Sequence, residues 1–490
     1  MNKIKKTGMR RYILTNIIAA LSFIIFIYIC INYNSIPQGH RAIIIFPFIW
    51  GAYNLFGSIR KWIFRAPSLA LFDLLCFIRY GVLIFLLVLN NNYSSARFSV
   101  HVNSDEDYLF AYELMLYELI VIIITIELCI KLMFKSNISV YKQNIPINKG
   151  SCPGYLLVVL LGIAGLFLFP KYLDNMNIFS VKSGFEKEVI QGSFLSLTLG
   201  YFIKSIQIVI FLSLLKYYAR RQSRYKHVNK WPLFFFAFLN CAIIWNTNRT
   251  TLLINVILTL IMLIYIFPEY KKEMTFLFGG AGIIMVILMT LYRSFGIVSV
   301  AKVGTSGFTS IYGLNVFSSY LGEYVSGPDS VLSGIQIKNL YPVNFDTFMN
   351  DMFMSTNVIS KFLSPSFVHN NTAYFFNQYC GFHVTNSVII PSVSEGYLFF
   401  GFLGAPIFTV ITLIIMMFSE KKALTSRDIG LKYAWNYNAL FISGIPGANW
   451  MLSMMYLSMY FLPLYLIMKF NVILYKTKKR SISKYKCYNE

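Results

Sequence analysis

Twelve stretches of this chain are apolar for nearly the thickness of a lipid bilayer, and no other feature limits the fold as tightly. They run roughly 12–31, 42–59, 67–89, 108–134, 153–170, 193–218, 231–247, 250–267, 275–293, 395–418, 433–447 and 450–470. A transmembrane helix needs about 20 mostly apolar residues. Inside a bilayer each peptide group must find its partner within its own segment, which leaves helices or closed barrels. Uninterrupted apolar runs, rather than alternating ones, predict helices. Only 13% of the 490 residues are charged and 57% are hydrophobic. A soluble domain carries about 25% charged residues. The reading is an all-α polytopic integral membrane protein of about twelve transmembrane helices, forming one membrane domain over 1–490.

Local signals sharpen the boundaries. Pro67, Pro153 and Pro232 each open a run, where the missing N–H has no helical partner to lose. Pro47, Pro406 and Pro463 fall inside runs and predict kinks. The basic stretch from Met1 to Arg11 precedes an apolar run too long for a signal-peptide core, and no small-x-small cleavage pattern follows it. An uncleaved first helix is expected.

Charge orients the bundle. The formal net charge is +23. With Met1 in the cytoplasm and each run crossing once, the Lys and Arg residues concentrate in the inside connections. These include Arg60, Lys61 and Arg65, the stretch 216–230, Lys421 to Lys432, and the tail from Lys469. That is the positive-inside pattern, and it explains the basic balance without nucleic acid. Removing one helix would put a basic end on the wrong side, so an even number of crossings with both termini cytoplasmic is expected.

One connection stands apart. Residues 294–394 are rich in Gly, Ser, Asn and Pro, hold no clean spanning run, and face away from the cytoplasm in this orientation. A long loop in a compact architecture is usually functional. Within it Phe345, Phe348, Met349, Met352 and Thr356 follow helical spacing, predicting an amphipathic helix on the bundle or at the bilayer interface.

The residues able to carry chemistry gather at this outer side. Arg249 lies in the tight turn Trp245-Asn246-Thr247-Asn248-Arg249, and Arg293 closes the ninth run. Both oppose the positive-inside trend. They read either as snorkelling to lipid phosphates or as fixed forks for a phosphate or pyrophosphate. Arg41 and Lys302 are weaker candidates of the same kind. Glu395 starts the tenth run, with Gly401 and Gly404 following. It reads as a cap on its helix or as a base or sugar-hydroxyl ligand at the outer mouth. His369 is a rival base. His383 and Glu323 are further candidates in the loop.

Five ionisable residues fall within apolar runs: Asp73, Arg79, Glu118, Glu127 and Lys204. Such residues are costly in a bilayer. Cross-helix pairing, such as Arg79 with Glu118, would satisfy them. A proton or ion path is the other use. No phosphate-binding glycine loop or dinucleotide fingerprint is present, and no metal-ligand spacing. Asp105-Glu106-Asp107 reads as a solvated acidic turn. The seven cysteines show neither disulfide nor metal spacing. Neither metal nor cofactor is expected.

The layout, with Asn248-Arg249-Thr250-Thr251-Leu252-Leu253 opening a helix and Glu395-Gly396-Tyr397 leading to Gly401-Phe402-Leu403-Gly404, resembles the bacterial O-antigen and capsule repeat-unit polymerases, often called Wzy. Asn248 stands where many members carry a small residue. The resemblance implies a fold of the membrane-embedded GT-C type with a periplasmic loop over 294–394, in the bacterial inner membrane. It implies a metal-independent glycosyltransferase of lipopolysaccharide and capsular polysaccharide biosynthesis. Two undecaprenyl-pyrophosphate-linked oligosaccharides would meet at the outer leaflet, the growing chain moving onto the incoming unit. A chain-length regulator protein is a further implied partner. In this reading Arg249 and Arg293 hold pyrophosphate, and Glu395 or His369 serves the acceptor hydroxyl. A flippase for the same lipid-linked sugar and an O-antigen ligase remain the rival readings.

Overall fold

A computed structural model describes residues 12–93, 103–134, 153–178, 194–222, 229, 231–245, 249–280, 310–356, 370–381 and 388–487. The described residues are helical apart from short connections and one antiparallel ladder, which pairs Met176–Ile178 with Ile243–Trp245. Four described helices are long and apolar enough to cross a membrane: Ile13–Ile31, Pro67–Asn90, Thr198–Gln222 and Trp450–Tyr475. Ser392–Gly404 and Ile407–Thr425 make a fifth if taken as one bent pair. This is an all-α protein with several helices suited to a membrane.

The chain packs as two compact units. The first comprises 1–141, 307–424 and 438–459, and the second comprises 142–306, 425–437 and 460–490.

In the first unit, the helix Ile13–Ile31 turns Thr15, Ala19 and Ser22 inward and leaves Ile13, Ile17, Leu21, Ile24, Ile27 and Ile31 exposed. Small and polar side chains share the inner face with Ile18 and Ile29 while six bulky aliphatics face outward, as in a lipid-facing helix. It reverses the water-soluble arrangement. Close approach explains the small residues: a side chain at Gly51 would meet the Ser22 Cβ at 3.0 Å. Pro67 occupies the first turn of its helix, as its sequence position predicts. That helix widens into a π turn over Ile78–Val82, which holds Arg79. Arg79 Nη2 pairs with Glu118 Oε2 at 3.0 Å and Arg79 Nε donates to the Ser326 carbonyl at 3.1 Å. The Thr409 hydroxyl donates to the other Glu118 oxygen at 2.7 Å. Asp73 accepts from the Asn54 amide at 2.9 Å, and Glu127 accepts from the Ser58 N–H at 2.7 Å. The cross-helix pairing that the apolar surroundings demanded is therefore present.

The segment read as one long loop with an amphipathic helix is largely helical where described. Helices cover Ser310–Tyr324, Pro328–Leu340, Phe345–Met354 and Thr372–Tyr379. A small apolar core of Ile337, Phe375, Phe376, Tyr379, Val388, Ile390 and Leu398 ties the last of these to Ser392–Gly404. The tenth run is not one straight span. Its two helices meet at 106°, with Gly401 at φ +66° and Pro406 beyond it. The second run yields only Ile45–Phe56, and the eleventh yields Ile429–Ile442. At about 1.5 Å per residue both fall short of a roughly 30 Å core.

In the second unit, Pro153–Leu168 packs along Phe194–Gln222, with Gly162 and Gly165 against Ile206 and Leu199. Asn471 accepts the Gly154 N–H at 3.1 Å. Lys216 is not a free loop cation: it is buried and pairs with Asp428 at 3.1 Å. Lys204 lies over the Tyr460 ring, 5.8 Å from its centre.

Candidate functional site

Three helix starts in the first unit converge on two buried carboxyl groups. Pro391 ends an extended stretch, and its φ of −62° leads directly into Ser392–Gly404. Glu395 falls in the first turn of that helix and is fully buried. Its Oε2 accepts the backbone N–H of Trp450 at 2.8 Å. Trp450 opens another helix, whose cap, Asn449, accepts from the Leu452 N–H at 2.9 Å. Glu395 thus closes a neighbouring helix start while sitting at its own, and both helix dipoles favour a negative charge there. Its second oxygen, Oε1, is buried with no hydrogen-bond partner. A buried polar atom left open in this way is uncommon and asks for an explanation.

The second carboxyl is Asp351, on the helix Phe345–Met354, which the spacing of its Phe and Met residues predicts. Asn344 and Thr347 form a reciprocal capping box at its start. Asp351 is 1% exposed. Its oxygens accept the Thr372 N–H at 3.0 Å and the Thr372 hydroxyl at 2.7 Å, at the start of Thr372–Tyr379. Burial raises the Asp351 carboxyl above the ordinary range, against the lowering effect of the Thr372 bonds. Asp351 and Glu395 are close enough for the charge of one to act on the other. Sequence reading finds Glu395 but misses Asp351. An acid on the polar side of an amphipathic helix reads as water-facing, and here that side faces inward.

The other predicted residues are placed differently. Arg41 donates from Nε to the Ile36 carbonyl at 3.4 Å and lies over the Tyr33 ring at 5.1 Å. These contacts hold it within its own turn. Glu323 is half-buried near the end of Ser310–Tyr324, and its charge reaches Cys380. Arg249 opens the helix Arg249–Ile266 in the second unit, as the sequence predicts. Arg293, Lys302, His369 and His383 lie outside the described residues. Among the described residues no group of three or more His, Cys, Asp or Glu side chains is arranged to hold a metal ion.

Next to Arg41 the structure singles out His40, which the sequence reading passed over. It is buried, with Nδ1 2.9 Å from the Tyr112 hydroxyl oxygen. Its ring stacks on Tyr93 at 4.5 Å and packs against Tyr108 at 4.3 Å. Burial lowers its pKa to about 4 despite the nearby Asp105. A cleft beside Tyr93 is lined by Ser318, Ser319, Asp329 and Ser330.

The chain matches no protein-family model, no characterised protein and no solved structure.

Proposed function

We propose that this protein is a polysaccharide polymerase of about twelve crossings in a bacterial cytoplasmic membrane, with both termini inside. It joins undecaprenyl-pyrophosphate-linked oligosaccharide units at the outer face. The observation that carries the reading is Glu395: a fully buried carboxyl group with one oxygen fixed by the Trp450 N–H and the other without a partner. Such a group is oriented to accept a proton from an incoming sugar hydroxyl. The acceptor O–H bond breaks toward Glu395, and the acceptor oxygen bonds to the anomeric carbon of the growing chain. The anomeric C–O bond to pyrophosphate breaks, and its electron pair leaves with the lipid pyrophosphate. General base catalysis of this kind contributes roughly 10²–10⁴-fold.

The leaving group gathers negative charge, and a preorganised guanidinium stabilises it without a metal. Arg249, at its helix start, and Arg293 are assigned this role.

The test is a deletion strain complemented with Glu395→Gln, Arg249→Ala or Arg293→Ala, with protein levels measured. The expected result is normal protein and a surface polysaccharide reduced to single repeat units. Normal ladders from all three variants would remove the site assignment. Loss of all surface units on deletion would indicate a flippase, and full-length chains retained on the carrier would indicate a ligase.

A further inference from the structure

The helix Phe345–Met354 is inverted relative to a helix on a water-facing surface. Thr347, Asn350 and Asp351 are buried, while Asp346 in the first turn stays exposed at the helix start. They are held by Asn370 and Thr372: Thr347 Oγ1 to Asn370 Oδ1 at 3.3 Å, Asn350 Nδ2 to the Asn370 carbonyl at 2.9 Å, and Asp351 with Thr372. Its apolar residues point the other way. Phe345 is 71% exposed, and Phe348, Met349 and Met352 are only partly covered. An interfacial or lipid-facing helix keeps its apolar face outward and its polar groups satisfied inside.

This face is continuous with the bent helix pair. Phe348 packs against Phe399, Phe400 and Phe408, with ring centres 5.2, 5.9 and 6.4 Å away. Beyond them Leu403 is 82% exposed, and Ile407, Ile411 and Ile414 continue the open apolar surface along Ile407–Thr425. A surface of this extent on a water-facing segment would be a large exposed apolar patch. The same surface belongs to the bent helix pair, which taken together is apolar enough to cross a membrane.

We propose that Phe345–Met354 is docked in the bilayer, with Phe345, Phe348 and Met349 against lipid acyl chains, rather than standing in the aqueous phase as part of an outer loop. The occupant of this face is lipid. Lipid follows from continuity with the outward apolar side of Ile407–Thr425, independently of the proposed reaction. Asp351 and Glu395 then lie behind a lipid-facing wall, reached from the side of the membrane.

The test uses the full-length protein with its seven native cysteines replaced, reconstituted in phosphatidylcholine nanodiscs. A nitroxide is placed at Phe345→Cys or Met349→Cys. Ile24→Cys, exposed in the middle of the first helix, is the lipid reference, and the exposed Glu106→Cys is the water reference. Accessibility to oxygen and to a water-soluble nickel chelate is measured. The expected result is high oxygen and low nickel accessibility at 345 and 349, matching Ile24 and several-fold different from Glu106. Nickel accessibility matching Glu106 would overturn the proposal. Low accessibility to both reagents would also overturn it, because the face would then be covered by protein.

Discussion

Glu395 accepts the backbone N–H of Trp450 at 2.8 Å, so an acid in the first turn of one helix fixes the first residue of another. The contact makes two expectations separable. Glu395→Gln keeps an acceptor for the Trp450 N–H and keeps the volume, so folding should persist while proton acceptance is lost. A fall of about 10²–10⁴-fold in polymer formation is expected at unchanged protein level. Glu395→Leu removes both and should lower the protein level as well. Polysaccharide gels with parallel immunoblots check this.

The Arg79–Glu118 pair should be worth far more as a pair than its net contribution suggests. Arg79→Met leaves a buried carboxylate without its cation, which typically costs about 3–5 kcal/mol. The double variant Arg79→Met/Glu118→Gln should recover a large part of that loss. Thermal unfolding in detergent, followed by size-exclusion fluorescence, measures both. Equal losses in the single and double variants would show that the pair does not couple.

Protonation of His40 should destabilise the fold. A base held at about 4 when folded and about 6.5 when unfolded binds fewer protons in the native state between those values. Its contribution is complete above about pH 6.5 and is lost as pH falls toward 4. The loss is at most about 3.5 kcal/mol, at roughly 1.4 kcal/mol per unit. His40→Phe should flatten that part of the stability–pH curve. Thermal midpoints at a series of pH values between neutral and acidic conditions test it.

The bend after the candidate site depends on two glycines. A side chain at Gly396 would lie 2.1 Å from the Ala405 carbonyl oxygen, and Gly401 holds φ +66° and ψ −167°. That backbone region is essentially restricted to glycine, and a side chain there costs about 1–3 kcal/mol. Gly396→Ala should lower the yield of folded protein more than Gly401→Ala, since the former meets backbone that cannot rotate away. Yield of monodisperse protein after extraction is the measurement.

Much of the helical plan is legible in the residues. Pro67 and Pro153 open helices, Pro406 accompanies a bend, and the need for Arg79 to find a carboxylate follows from its apolar surroundings. Within 310–390 the helix Phe345–Met354 is legible from its Phe and Met spacing, but Pro328–Leu340 is not, because small polar side chains interrupt its apolar pattern. Pro328–Leu340 buries Ser330, Ser333 and Gly334, and Gly334 sits against Ser394. Serine and glycine in that density read as loop. Asp351 escapes notice for a related reason: polar residues are assumed to face water, and Thr347, Asn350 and Asp351 face the interior. Glu395 is legible as a helix-start acid, but nothing in the sequence names Trp450 as its partner, since that contact spans 55 positions.

The buried Arg79 also has a consequence for biogenesis. A lone arginine at the centre of a bilayer costs about 2.5–3.5 kcal/mol on insertion scales. Its carboxylate partner arrives with the next long helix, Asp105–Met133, whereas the Ser326 carbonyl is synthesised 247 residues later. The ribosome therefore delivers the neutralising group early and the final ligand late. The Arg79–Glu118 pair can form as soon as Asp105–Met133 is made, and it waits for the distant chain to complete it.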